Sequence, residues 1–150
     1  MKNNTPKNVW ISISNRQHAG QEGDNTVLFD TAGSYFFDDE ACVVTYQESE
    51  LTGLEGTRTS VHITPQRVVV DREGLISSRM IFQEGYRDSF PYDTPYGQLM
   101  LGVDTRSIKH RFDENGGDVE IDYTTDFSHA FRINNKFRIT VKEMENSNHG

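Results

Sequence analysis

Six polar residues stand at positions whose apolar neighbours, two residues away, put them on the same face of a strand: Glu48, Thr57, Thr59, Ser78, Asp88 and His110. Glu48 continues the alternation Cys42, Val44, Tyr46, and Thr57 and Thr59 lead into Val61 and Ile63. Ser78 precedes Met80 and Phe82, Asp88 lies between Tyr86 and Phe90, and His110 lies between Ile108 and Phe112. A carboxylate, hydroxyl or imidazole on a buried face must find a hydrogen-bond partner, an opposite charge, water or a ligand. Carboxylates and imidazoles also move protons, which makes Glu48, Asp88 and His110 the candidates for a general acid or base. Taken together, the six predict a polar patch inside or at the mouth of an apolar barrel, the way binding pockets are usually built. Each has a structural explanation as well. Glu48 and Thr57 flank the connection from Ser49 to Gly56 and would sit at a wet rim, Asp88 is open to pairing with an arginine, and a histidine among apolar neighbours is more often a satisfied core residue than a ligand.

Other chemistries find less support. The five histidines, His18, His62, His110, His129 and His149, have no paired spacing, and with one cysteine no zinc site is expected. No phosphate loop, dinucleotide fingerprint, nucleophile elbow or calcium loop is present, so no metal or cofactor is expected. Gly53 and Gly56 stand in acidic surroundings with no following lysine, which makes them loop glycines. Cys42 lies in the run Ala41-Cys42-Val43-Val44 with no histidine nearby in sequence, the setting of a buried, unreactive thiol.

The elements that must hold these residues are strands. Val119, Ile121 and Tyr123 alternate with Asp118, Glu120 and Asp122; Phe137, Ile139 and Val141 with Arg138, Thr140 and Lys142; Val9, Ile11 and Ile13 with Trp10, Ser12 and Ser14. Period two means one buried and one wet face, and no window has a helical period. Turn chemistry separates the runs at Phe37-Asp38-Asp39-Glu40, Thr64-Pro65-Gln66-Arg67, Thr94-Pro95-Tyr96-Gly97, Asn115-Gly116, more weakly at Asn134-Asn135, and at Gly74 and Gly85. The pattern predicts about ten strands, near 9–13, 26–37, 41–48, 57–64, 67–73, 77–83, 86–92, 97–112, 118–130 and 136–143. Inward parity switches between Leu99-Leu101-Val103 and Ile108-His110-Phe112, which predicts a bulge between Asp104 and Ser107. A meander this long would leave one bare apolar face and two edges, and closing into an antiparallel up-and-down barrel of about 8 to 10 strands removes both. Such a barrel is either filled by side chains or holds one small ligand.

Composition fits one domain spanning the 150 residues, ordered roughly from 8 to 144 with loose ends. Nine Phe, six Tyr and one Trp supply a core despite a hydrophobic share of 34%. The net charge is −8, and the stretch from Gln17 to Thr57 holds nine acidic residues and no lysine or arginine. That balance repels phosphate backbones and anionic lipid, so neither nucleic acid nor a membrane is an expected partner. The acidic stretch reads first as a solvated face. No apolar run reaches the roughly 18 residues of a membrane helix, the first residues do not form a signal peptide, and no disulfide can form within the chain. These features predict a cytoplasmic protein; oligomeric state is left open.

The stretch Tyr46-Gln47-Glu48-Ser49-Glu50-Leu51-Thr52-Gly53-Leu54-Glu55-Gly56-Thr57 resembles a motif of the YwiB-like bacterial proteins. Met80 to Gly85, Tyr92 to Gly97, Asn115-Gly116-Gly117 and Ile121-Asp122-Tyr123 resemble further motifs in the same order, from about Val9 to Lys142. The resemblance implies a calycin-type, lipocalin-like barrel and carries no reaction or ligand with it. Three readings follow. The first is a barrel binding a small or hydrophobic molecule at a mouth near Glu48 and Thr57. The second is an interaction module with a filled core acting through its acidic face, and the third is an enzyme using Glu48, Asp88 or His110.

Overall fold

The computed structural model describes residues 5–18, 24–49, 55–74, 77–94 and 97–144. They form ten strands: β1 (Lys7–His18), β2 (Asp24–Asp38), β3 (Ala41–Gln47), β4 (Thr57–Ile63), β5 (Val68–Gly74), β6 (Ser78–Phe82), β7 (Arg87–Thr94), β8 (Gly97–Asp113), β9 (Gly116–Phe127) and β10 (Ala130–Glu143). Every pairing is antiparallel, in the order β6-β5-β4-β3-β2-β1-β10-β9-β8-β7. This is the all-β, up-and-down antiparallel barrel that the patterning predicts, at the upper end of the expected strand number.

Alternation decides what each strand buries. Val9, Ile11 and Ile13 are buried, while Trp10 between them is exposed. The same rule buries Cys42, Val44 and Tyr46 on β3, Val61 and Ile63 on β4, and Val119, Ile121 and Tyr123 on β9. Side chains as fully enclosed as Ile11, Ile121 and Ile139 contribute roughly 1.5–3 kcal/mol each. Hairpin chemistry fixes the register. Gly116 has φ +134, and a Cβ there would run into the Val141 carbonyl, so the Asn115-Gly116 turn requires glycine. Pro95 and Tyr96 lie outside the described residues, but Thr94 pairs with Gly97, whose φ is +112. The bulge falls where expected, as a register shift between Thr105 and Ser107.

Asn134-Asn135 is not a turn. Both residues are in β10, paired with Thr124 and Tyr123, and the chain reverses at Ser128-His129 instead. Ser128, His129 and Phe131 all have positive φ (52°, 68° and 57°), a conformation that serine and phenylalanine seldom adopt. Side-chain and backbone bonds hold that turn: His129 N donates to Asp126 Oδ1 at 2.7 Å and Ser128 N to Met100 O at 3.0 Å.

The ring closes at a seam between β6 and β7, consecutive strands that do not pair as a hairpin. Carboxylates take over from the ladder there. Ile81 N donates to Asp88 Oδ2 at 3.0 Å, and Ile108 N, just past the bulge, donates to Glu84 Oε2 at 2.9 Å. Gly85 N reaches Thr105 O at 3.1 Å, and the rings of Phe82 and Tyr123 meet at 4.8 Å behind the seam.

Candidate functional site

The register divides the barrel interior into two ends. At one, Tyr35 donates its hydroxyl to Asp113 O at 2.6 Å and packs against Phe37 and Phe112. Cys42 is buried beside them, and burial pushes its thiol up to about 12, the condition of an unreactive neutral group. Burial likewise raises the Tyr35 phenol well above its ordinary value. Two pockets open at this end. One of about 190 Å3 is floored by Phe37, Cys42, Ile63 and Phe112, and one of about 320 Å3 is lined by Gln66, Gln83, Glu84 and Ile108. Pro65 and His110 border both. His110 therefore sits exposed at the Tyr35 end, away from the other candidate residues.

At the opposite end three of the candidates meet. Glu48, Thr57 and Thr59 are buried, and Thr59 Oγ1 donates to Glu48 Oε2 at 2.5 Å. They come together because Glu48 ends the inward alternation of β3, while Thr57 and Thr59 begin that of β4; Glu48 N donates to Thr57 O at 2.8 Å. Arg72 on β5 lies directly across from Thr59, with Nε 3.7 Å from Glu48 Oε2. Glu48's side chain is 2% exposed and that of Arg72 21%, so solvent touches the guanidinium and barely reaches the carboxylate. Arg72 Nη1 reaches Met80 Sδ at 3.8 Å. Ser78, half-buried, pairs with Arg72 from β6. Asp88 keeps inward parity, but its carboxylate binds the Ile81 amide at the seam.

Aromatic rings close around this layer. Phe29 lies 6.3 Å from Tyr46, and Tyr123 is buried against Phe82. Burial, and then the charge of Glu48, raise the Tyr46 phenol; burial pushes Tyr123 up to about 12 against the opposing pull of Arg72. Both phenols stay neutral at physiological pH, so Glu48 and Arg72 are the charges in contact with the layer.

Four buried side-chain atoms have no hydrogen-bond partner among the described residues: Asn15 Oδ1, Thr57 Oγ1, Arg72 Nε and Thr105 Oγ1. All four belong to residues of inward parity, carried by β1, β4, β5 and β8. Asn15 follows Ile13, Arg72 follows Val70, and Thr105 pairs with Tyr123. Arg72 and Asn15 are absent from the sequence candidates although their parity was readable. Val68-Val70-Arg72 and Val9-Ile11-Ile13-Asn15 run without a break.

A second charged cluster lies on the outer face. Arg87 on β7 crosses Gly102 on β8 to bind Asp126 on β9 through two bonds of 2.8 and 2.9 Å, and bonds Asp104 at 2.6 Å. The Asp126 side chain is fully buried. The Arg87 hydrogen bonds hold its carboxyl at about 2, below the ordinary value of 3.8. This cluster is satisfied and joins three strands. Among the described residues no group of three or more His, Cys, Asp or Glu could hold a metal ion, and no helix is long and apolar enough to cross a membrane.

Comparison with known proteins places this architecture. The crystal structure of the ywiB protein from Bacillus subtilis matches with a TM-score of 0.79 over 93% of this chain and 94% of that one, at 21% identity, which shows a shared fold. The uncharacterized β-barrel protein YwiB of Bacillus subtilis (strain 168) is 27% identical over 123 residues, 82% of this chain and 83% of that protein. A family described as a domain of unknown function (DUF1934) matches residues 11–139. With nearly the whole barrel inside that match, the chain belongs to the DUF1934 family.

Proposed function

We propose that the barrel binds a small molecule in the polar layer inside its Glu48 end, and holds it without transforming it. The observation that carries this reading is that Asn15 Oδ1, Thr57 Oγ1 and Thr105 Oγ1 are buried at inward positions with no hydrogen-bond partner among the described residues, in an interior that also encloses the Glu48–Arg72 ion pair. A buried polar group without a partner costs roughly 1–3 kcal/mol, and a bound molecule with its own donors and acceptors is one way to supply that partner. The calycin-type fold that the sequence resemblance implies would favour the reading by analogy alone. A binding role is the simpler reading of a carboxylate already engaged by the Thr59 hydroxyl and by Arg72. We place this activity in the cytoplasm, where the Cys42 thiol stays reduced.

Native mass spectrometry of the protein purified without denaturation tests the proposal. The expected result is an added small-molecule mass that is lost or reduced at least several-fold in Glu48→Gln, with the unfolding midpoint of that variant close to the parent's. A parent with no added mass and a Glu48→Gln variant identical to it in every respect would leave the filled-core interaction module in possession.

A further inference from the structure

We propose that the Tyr35 end of the barrel carries a second binding site, which takes a small organic cation: an ammonium group on one aromatic ring or on an apolar body of that size. The site stands apart from the Glu48 layer and does not depend on the reading above.

Its floor is apolar and continuous. Phe37, Cys42 and Ile63 are successive cross-strand partners on β2, β3 and β4. The Tyr35 ring lies 6.4 Å from that of Phe37 and 6.0 Å from that of Phe112, so Phe112 joins the floor from β8. The hollow above these residues measures about 190 Å3. An apolar cavity of about 150 Å3 is enough to take benzene, so one ring fits here.

The rim sets the charge that the ring must carry. Asp39 and Glu40, the turn between β2 and β3, line the hollow, and no lysine or arginine lines it. Lys109 and Arg111 flank His110 along β8, but they pair with Glu120 and Asp118 on the outer wall. The adjoining hollow beyond Pro65 and His110 repeats the sign, since its one charged lining residue is Glu84. The turn also falls inside the stretch from Gln17 to Thr57, which holds nine acidic residues and no lysine or arginine. A concave apolar surface with one sign of charge at its edge concentrates ions of the opposite sign. A cation with an apolar body answers both features, whereas an anion of the same shape meets two carboxylates. A bare metal ion answers neither: it leaves the floor unused, and among the described residues no three His, Cys, Asp or Glu could hold one.

Four probes separate the ring from the charge. Benzylamine is a cation at neutral pH, benzyl alcohol has nearly its shape without the charge, benzoate reverses the charge, and methylamine keeps the cation without the ring. Each is titrated into 15N-labelled protein, following the amides of Glu40, Cys42 and Phe112 at this end and of Thr57 and Thr105 at the other. The expected result is saturation of the Glu40, Cys42 and Phe112 shifts by benzylamine, at a concentration roughly fivefold or more below that of benzyl alcohol. Benzoate and methylamine should not saturate them. In the double variant Asp39→Asn, Glu40→Gln, benzylamine should weaken to the level of benzyl alcohol. Asparagine tolerates the positive φ of Asp39 (43°), so the turn keeps its shape in that variant. Benzyl alcohol as good as benzylamine, or benzoate better, would overturn the assignment of charge. Methylamine as good as benzylamine would show that no ring is seated, and benzylamine shifts confined to Thr57 and Thr105 would put the site at the wrong end. Saturation by none of the four would remove the site altogether.

Discussion

Asp126 is the side chain whose ionisation matters most to the folded state. It is enclosed on the outer wall of the barrel and gripped by both arms of the Arg87 fork and by the His129 amide. Removing one partner from a buried pair strands the other, so Asp126→Asn should lower stability by about 2–4 kcal/mol in urea unfolding at neutral pH. The pH dependence has a definite sign. The folded carboxyl titrates at about 2, below the roughly 3.9 of an unfolded aspartate, so its stabilisation is complete above about pH 4 and drains away as pH falls towards 2. The gap between parent and Asp126→Asn should therefore narrow across that window; a gap that widened instead would mean that the pair is not what holds the residue. Gly102 belongs to the same device, since a Cβ there would collide with the Arg87 guanidinium. Gly102→Ala and Arg87→Ala should each be destabilising, and the double variant should cost little more than either, because both remove one contact. None of this was legible in the sequence, where Arg87, Gly102 and Asp126 share no spacing. Parity did disclose Glu48, Thr57 and Thr59. It could have disclosed Arg72, had a basic residue at the end of an apolar alternation been given the same weight as an acidic one.

At the scale of elements, strands were easier to read than turns. The strands are legible from period two where one face is buried, as on β3 and β4, while the start of β8 departs from it with Leu99 and Met100 both exposed. The β9–β10 reversal was not legible, because its turn puts Ser128, His129 and Phe131 in left-handed conformations that glycine or asparagine would ordinarily announce. Asn134-Asn135 has the right composition for a turn and is a pair of strand residues. The Asn135 side chain instead donates to Thr125 Oγ1 and Ile133 O, at 3.3 and 3.0 Å. The seam was equally silent, since nothing local says that β6 and β7 will meet through side chains. It makes a testable element: Asp88→Ala removes the acceptor of the Ile81 amide while leaving both strands intact. That amide should exchange with solvent at least tenfold faster in the variant, with the amides of β1 and β10 unchanged; equal exchange at Ile81 would show that the carboxylate does not hold the seam.

For the molecule as a whole, two kinds of closure complete the ring. The seam is a short joint made by the Asp88 and Glu84 carboxylates and by backbone bonds of Thr105 with Gly85 and Tyr86, and the opposite junction is a long ladder in which β1 and β10 pair from Val9↔Glu143 to His18↔Asn134. Sequence pattern predicts that a ring forms and gives no reason for the joint to fall between β6 and β7, since both edges carry the same alternation as their neighbours. The long ladder has a temporal consequence. Its two strands are separated by the rest of the fold, so the ordering cost of the chain between them must be met before their contacts form. Refolding should accordingly take milliseconds to seconds, as in other barrels dominated by distant pairings, and deletion of β10 should abolish the cooperative unfolding transition altogether. The same delay applies during synthesis. At about 5–20 residues per second, β1 leaves the ribosome roughly 5–20 s before β10 exists to cover it. Through that interval Val9, Ile11 and Ile13 sit on an open edge, exposed to any other nascent strand. The part of the life cycle most sensitive to a slower tRNA, a warmer cell or a missing chaperone is therefore the wait for the last strand.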